Sequence, residues 1–251
     1  MQERKNIYFI SDLHLGVEGK DTTEAREQKA VRFLQSIEND AKRVFLLGDI
    51  FDFWFEYKKV VPKGFVRLFG QLAKMTDMGI EIDFFCGNHD LWQRDYFKKE
   101  MNIRVHKEKT KEFVFNDKVF VLGHGDRLNK KEYVYCFIRN AIFANPLCIA
   151  IFSILPPRLG LSFARLWSKY SRLSHKESDM KSLGEKESIY IFCQQYIEKR
   201  KADYFIFGHR HIIQEYKVGE SSWYINTGSW LNALYYAKWD GQKLTLEKVE
   251  F

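Results

Sequence analysis

The sequence predicts an α/β protein, a mixed and largely parallel sheet served by helices, in one domain over residues 1–251 with a helical insertion at 129–182. Three observations carry that expectation. Short apolar runs alternate with segments of helical periodicity through the first half, which is the pattern of βαβ units. A hairpin-like stretch follows, so part of the sheet is antiparallel. Several apolar runs end on short motifs of Gly, Asp, Asn and His, the residue types that leave a strand and carry chemistry. In chain order, Ile7-Tyr8-Phe9-Ile10 reads as a buried strand, and Ala30, Phe33, Leu34 and Ile37 fall on one face of a helix. Val44-Phe45-Leu46-Leu47 is a second strand, Phe65, Leu68, Phe69 and Leu72 mark a second helix, and Ile82-Asp83-Phe84-Phe85-Cys86 is a third strand. Phe113-Val114-Phe115 and Val119-Phe120-Val121-Leu122 flank Asn116-Asp117 as a hairpin. Ile189, Phe192, Cys193, Tyr196 and Ile197 form an amphipathic stripe; Tyr204-Phe205-Ile206-Phe207 then opens a run of strands with turns at Gly219 and Asp240-Gly241.

One segment departs from this pattern. From Asn140 to Pro157 no residue is charged, while Arg139, Arg158, Arg165, Lys169 and Arg172 flank it. The run falls just short of the roughly 20 apolar residues a spanning helix needs, and Pro146 interrupts it. Two short apolar helices broken at Pro146, lying on a membrane or capping an apolar site, are one reading. A buried helical hairpin or an oligomer contact is the other.

Composition narrows the partners. Lys and Arg number 40 against 33 Asp and Glu, a net charge of +7, so an anionic partner is expected: nucleic acid, a phosphorylated substrate or an anionic membrane surface. A protein that tracks nucleic acid spreads its cations along a groove with aromatics placed to stack on bases. Here an uncharged run sits amid the cations, so a lipid partner is expected and no nucleic acid. Pro is scarce at 4 residues, against a collagen-like or linker-rich chain. Cys86, Cys136, Cys148 and Cys193 are scattered among mostly apolar neighbours without a C-x-x-C pair, which predicts buried free thiols in a reducing compartment. The first residues lack a secretory pattern, so a cytoplasmic protein is expected.

The chemistry lies in five motifs: Asp12-Leu13-His14, Gly48-Asp49, Gly87-Asn88-His89-Asp90, Gly123-His124-Gly125-Asp126 and Gly208-His209-Arg210-His211. Each follows an apolar strand, and open α/β sheets bind ligands beyond the carboxyl ends of their strands. Carboxylate, imidazole and Asn carbonyl suit Mn²⁺, Fe²⁺ or Zn²⁺. Strand alternation would put Asp12 and His14 on one side, and likewise His209 and His211. The donors outnumber what one ion needs. Two ions about 3.5–4 Å apart, bridged by a carboxylate and a water, make a clamp for in-line attack on phosphorus. A catalytically dead scaffold would lack ligands, and none is missing. His106 and His175 belong to no motif and are expected at the surface.

D-x-H, G-D, G-N-H-D, G-H and G-H-x-H in this order resemble the calcineurin-like metallophosphoesterase superfamily. The resemblance implies a sandwich of two mixed sheets flanked by helices. By motif, one metal would be held by Asp12, His14, Asp49 and His211, and the other by Asp49, Asn88, His124 and His209. His89 would contact the phosphate or protonate the leaving oxygen, in league with Asp90. Gly48-Asp49-Ile50-Phe51-Asp52-Phe53-Trp54, Gly123-His124-Gly125-Asp126-Arg127-Leu128, the insertion and residues 174–183 are most similar to the UDP-2,3-diacylglucosamine pyrophosphatases of lipid A biosynthesis. That likeness implies cleavage of a lipid-linked sugar nucleotide to UMP and lipid X, usually with Mn²⁺, by a peripheral protein on the cytoplasmic face of the inner membrane. It also implies substrate contacts from Glu132, Ser174, Ser178 and Lys181, alongside Asn88, His89 and His209. The pyrophosphatases usually carry Arg after the metal-binding Asn; this chain carries His89, as the wider superfamily does.

Overall fold

The computed structural model describes residues 4–128, 145–160, 162 and 183–251. Most of the expected insertion, with Glu132, Cys136, Ser174, His175, Ser178 and Lys181, lies outside the described residues.

Two sheets face each other. The first contains β1 (Asn6–Ile10), β2 (Ala41–Leu46), β3 (Glu81–Phe85), β4 (Arg104–His106), β10 (Tyr235–Trp239) and β11 (Leu244–Lys248), in the spatial order β11-β10-β1-β2-β3-β4. Strands β1 to β4 are mutually parallel, and β10 and β11 add antiparallel at one edge. The second contains β5 (Lys111–Phe115), β6 (Lys118–Leu122), β7 (Tyr204–Phe207), β8 (Ile213–Val218) and β9 (Ser222–Thr227), ordered β5-β6-β7-β9-β8. There β6, β7 and β9 are parallel, closed by antiparallel β5 and β8. The hairpin expected at 113–122 is β5–β6.

Period-two alternation builds the layers. Ile7 and Phe9 of β1 point between the sheets with Phe45, Leu47, Phe85, Phe120, Leu122, Ile206 and Ile225. Phe9 stacks on Phe45 with ring centroids 5.2 Å apart, and on Phe120 of the opposite sheet at 6.2 Å. Tyr8 and Ile10 point outward and meet α1 (Thr23–Ile37) and α2 (Val66–Asp77), with α3 (Tyr96–Met101) beside them. The outer face of the second sheet is covered by the helix Ser188–Ile197 through Ile189, Tyr190 and Cys193. Thr22 caps α1 by accepting from the Ala25 N–H at 3.2 Å. The start of α2 has no cap of its own; buried Glu27 of α1 accepts from the Arg67 and Leu68 N–H groups at 3.0 and 3.1 Å. One helix thus sets the other's position.

His106, expected at the surface, is buried. Its Nε2 lies 2.6 Å from Oδ1 of Asp83, a fully buried β3 carboxylate that also accepts from Arg43 Nε at 2.8 Å and Arg104 Nε at 3.2 Å. A carboxylate facing an inter-sheet core must be paired, and the imidazole completes its shell. Burial pushes the Asp83 carboxyl up, but His106, Arg43 and Arg104 together hold it well below the ordinary carboxylate range. Since the unfolded value is about 3.9, this contribution is complete above that pH and drains as the pH falls through the lower folded value. Melting curves of wild type and Asp83→Asn are therefore expected to lie furthest apart at neutral pH and to converge below about pH 4; a constant gap would refute the linkage.

Part of the insertion is described. Pro146 opens a helix: Asn145 caps the segment Pro146–Ile154, here α4, by accepting from the Leu147 N–H at 2.9 Å, and the stretch before Asn145 lies outside the described residues. The helix Ser188–Ile197 becomes α5 in chain order. On α4, Phe152 packs on Phe53, Phe55 and Trp92 with centroids 6.5, 4.6 and 5.4 Å away. Leu147, Ile151 and Ile154 are exposed. The buried-hairpin reading therefore fails for α4, none of whose residues is buried. Among the described residues no helix is long and apolar enough to cross a membrane. Of the cysteines, Cys86 and Cys193 are buried, as expected, and Cys148 on α4 is half-buried.

Candidate metal centre

The five motifs converge on one rim, at the carboxyl ends of parallel strands from both sheets. Asp12 and His14 follow β1, Asp49 follows β2, and Asn88, His89 and Asp90 follow β3. His124 follows β6, and His209 and His211 follow β7. The reason Asp12 and His14 converge differs from strand alternation. Both lie beyond β1 in the left-handed region, with φ of 52° and 45°, and Asp49 and His209 share it at 52° and 67°. Among the described residues nine non-glycine positions have positive φ, and four of them belong to this cluster. Such backbone costs of order 1–3 kcal/mol per residue and persists only where the surroundings over-determine it. Glycine makes the close approach feasible: a Cβ on Gly87 would run into the Asp49 carboxylate, and one on Gly208 into that of Asp12.

The donor atoms form two adjoining groups. In the first, His14 Nε2 and His211 Nε2 are 3.0 Å apart and lie 3.6 and 3.3 Å from Asp12 Oδ1. In the second, His124 Nε2 and His209 Nδ1 lie 3.1 and 3.0 Å from Asn88 Oδ1. Asp49 stands between them, its Oδ2 3.2 Å from His124 Nε2 and 3.8 Å from His14 Nε2. Asp12, His14, Asp49 and His124 are buried, while His89 and His211 keep 14% and 20% of their side chains exposed and so line the open side.

Neighbours fix several of the donors. His124 Nδ1–H donates to the Leu47 carbonyl at 2.9 Å, which leaves Nε2 facing the cluster. The His209 N–H donates to Asp12 Oδ2 at 3.0 Å, and the His89 N–H to Asp49 Oδ1 at 2.9 Å. The His89 imidazole donates through Nδ1 to the Asp52 carbonyl at 2.9 Å. Asp90, expected to work with that imidazole, is engaged elsewhere: its carboxylate accepts from the N–H groups of Gly87 and Ile50, both at 2.8 Å, and of Phe51 at 3.4 Å. It ties the Asn88 loop to the Asp49 loop. Burial, then the charge of Asp49, pushes its carboxyl up to about 7.

The cluster suits divalent cations. Buried Asp12 Oδ1 accepts no hydrogen bond, although two imidazole nitrogens stand near it. Burial opposes charge on Asp12, His14, Asp49, His124 and His209. Even so, Asp12 and Asp49 are held well below the ordinary range by neighbouring imidazoles, and His14 and His124 are raised to about 10 by the carboxylates. Two carboxylates kept ionised in a buried pocket, balanced by protons on imidazole, invite a cation that displaces those protons. Burial, with His124, pushes His209 down to about 4, so it stays an unprotonated donor.

Two supporting residues carry no obvious sequence signal of function. Asp52 lies in the Gly48–Trp54 stretch, with Oδ1 3.6 Å from His14 Nδ1. Arg26 is fully buried in α1. Its spacing to Ala30, Phe33 and Ile37 sets it on the helix's core stripe, a signal that could have found it.

Fold and site together define a metal-dependent hydrolase, and the chain belongs to the calcineurin-like phosphoesterase family, whose sequence profile matches residues 5–212. Among its relatives is the UDP-2,3-diacylglucosamine hydrolase of Porphyromonas gingivalis, 36% identical over 264 aligned positions that cover 98% of either chain. The enzyme of the same name from Haemophilus ducreyi is 29% identical over 208 positions, 81% of this chain and 83% of its own. Among solved structures, a dimetal phosphatase from Danio rerio aligns over 98% of this chain and 96% of its own, with a TM-score of 0.47 and 11% identity.

Proposed function

We propose that this protein cleaves the pyrophosphate of UDP-2,3-diacylglucosamine to UMP and 2,3-diacylglucosamine 1-phosphate, using two Mn²⁺ ions at the cytoplasmic face of the inner membrane. The observation that carries the reading is the 36% identity, over nearly the full length of both chains, with a relative bearing that hydrolase's name. One ion would be held by Asp12, His14, Asp49 and His211, the other by Asp49, Asn88, His124 and His209. Once bound, the ions supply Lewis acidity, which acidifies water and offsets phosphoryl charge. The chain's own residues orient the substrate: Asn88, His89 and His209 face the phosphates, and Glu132, Ser174, Ser178 and Lys181 are assigned to the glucosamine phosphate. His89 contacts the phosphate or protonates the leaving oxygen.

Product identification tests the reading. Incubation with Mn²⁺ and UDP-2,3-diacylglucosamine in detergent should release UMP, and a chromogenic diester serves as control. Diester cleavage without UMP would keep the hydrolase and discard this substrate in favour of another lipid, nucleotide or nucleic acid.

The exposed apolar face of α4 supports a peripheral lipid contact. Replacing Leu147, Ile151 and Ile154 by Asp should weaken binding to phosphatidylglycerol vesicles and lower turnover of the acylated substrate about tenfold, while sparing the small diester. Equal loss on both substrates would count against the lipid contact. Phe152 is unsuited to this test because it packs on Phe53, Phe55 and Trp92.

A further inference from the structure

One buried cation outside the ligand set touches the backbone that carries a ligand. Arg26 is fully buried, and among the described residues no carboxylate forms an ion pair with its guanidinium. Its donors go to backbone carbonyls instead: Nε to Leu13 at 2.7 Å, Nη2 to His14 at 2.8 Å and to Val17 at 2.5 Å, and Nη1 to Asp21 at 3.0 Å. One side chain thus gathers the loop from residue 13 to residue 21. The opposite side of that loop is pinned to the next one, because the His14 N–H donates to the Asp49 carbonyl and the Leu15 N–H to the Ile50 carbonyl, both at 3.0 Å.

His14 sits in the middle with φ of 45°, a conformation an ordinary side chain resists and one that aims its imidazole at Asp12, Asp49 and His211. The bonds to residues 49 and 50 hold the N–H groups of His14 and Leu15; nothing in that ladder holds the carbonyls of Leu13 and His14. Arg26 does. The rigid five-donor fork of a guanidinium can serve several carbonyls set around it, which the single ammonium of lysine cannot match. A buried charge with no carboxylate in ion-pair contact among the described residues is expensive to keep, and four carbonyl dipoles replace its hydration.

We propose that Arg26 is a positioning residue for the metal centre, holding the Leu13 and His14 carbonyls so that the left-handed His14 presents its imidazole to a divalent cation. The proposal rests on His14 being a metal ligand. Arg26 meets neither substrate nor metal; it acts through His14.

Equilibrium dialysis against Mn²⁺, with the metal counted per chain, tests it. Wild type should bind two ions. R26Q and R26K should still fold, by circular dichroism, but bind the ion held by His14 about tenfold more weakly or worse, the range for losing a residue that orients a ligand. Their turnover should be low at limiting Mn²⁺ and recover at saturating Mn²⁺, whereas a fold defect would depress it at every concentration. Methylguanidinium should restore part of the affinity to R26A. Glu27→Gln, which strips the cap from α2 one residue along the same helix, should lower the melting temperature and leave Mn²⁺ affinity intact. If R26Q fails to fold, R26K, which keeps the charge, carries the test. Wild-type affinity in folded R26K, or equal loss in E27Q and R26K, overturns the positioning role alone. A wild-type chain that takes up no Mn²⁺ overturns the metal reading with it.

Discussion

Replacing Asp49 by Asn is expected to lower turnover by at least about 10³-fold and to reduce bound Mn²⁺ below two per chain, since each metal role is worth several kcal/mol. Asparagine is the sharper variant than alanine, because it tolerates the left-handed backbone of φ 52° that Asp49 occupies. It also keeps an oxygen for the His89 N–H, now 2.9 Å from Asp49 Oδ1. What it removes is the charge between the two donor groups, on which the raised imidazole of His124 chiefly depends. Asp49→Ala should abolish turnover outright. Metal analysis beside a diester assay checks both. Activity within tenfold of wild type would mean that the two donor groups work without a shared carboxylate.

His89→Ala is expected to lower the rate about 10²–10⁴-fold if His89 is the general acid, with metal content unchanged. The structure explains why these effects separate. The backbone N–H of residue 89, not its imidazole, bonds Asp49, and alanine keeps that N–H. The imidazole donates through Nδ1 to the Asp52 carbonyl at 2.9 Å on the open side of the cluster, its ring centroid 5.0 Å from that of His14. His89→Arg restores the residue usual in the pyrophosphatases and should regain part of the rate on the lipid nucleotide. Full activity of His89→Ala on both substrates would remove the residue from the chemistry.

Much of this arrangement is legible in the chain, for identifiable reasons. Strands β1, β2, β3, β6 and β7 are short apolar runs, and a motif at the end of a parallel strand can only project from the sheet's carboxyl edge. What stayed hidden depends on distance along the chain. His106 reads as a surface residue because its partner, Asp83, is 23 positions away within an otherwise apolar strand. β4 is three residues with Arg and His at its ends, too short for alternation to show. The family resemblance pairs Asp90 with His89, whereas its hydrogen bonds run to backbone N–H groups of two loops. The left-handed conformations of Asp12 and His14 follow from tertiary hydrogen bonds and have no sequence signature. The division into two sheets came from the family resemblance, since periodicity cannot say which strands share a ladder.

The donors are split across the sandwich: Asp12, His14, Asp49 and Asn88 extend from one sheet, His124, His209 and His211 from the other. Neither sheet alone carries the proposed ligand set of either ion, because His211 completes one and His124 and His209 complete the other. A nascent chain with only its first four strands formed would offer three of the four proposed donors for one ion and two of four for the other, an incomplete shell for both. With the proposed ligands, tight metal uptake would wait on docking of the two halves, and bound ions would then fasten the seam that created their site.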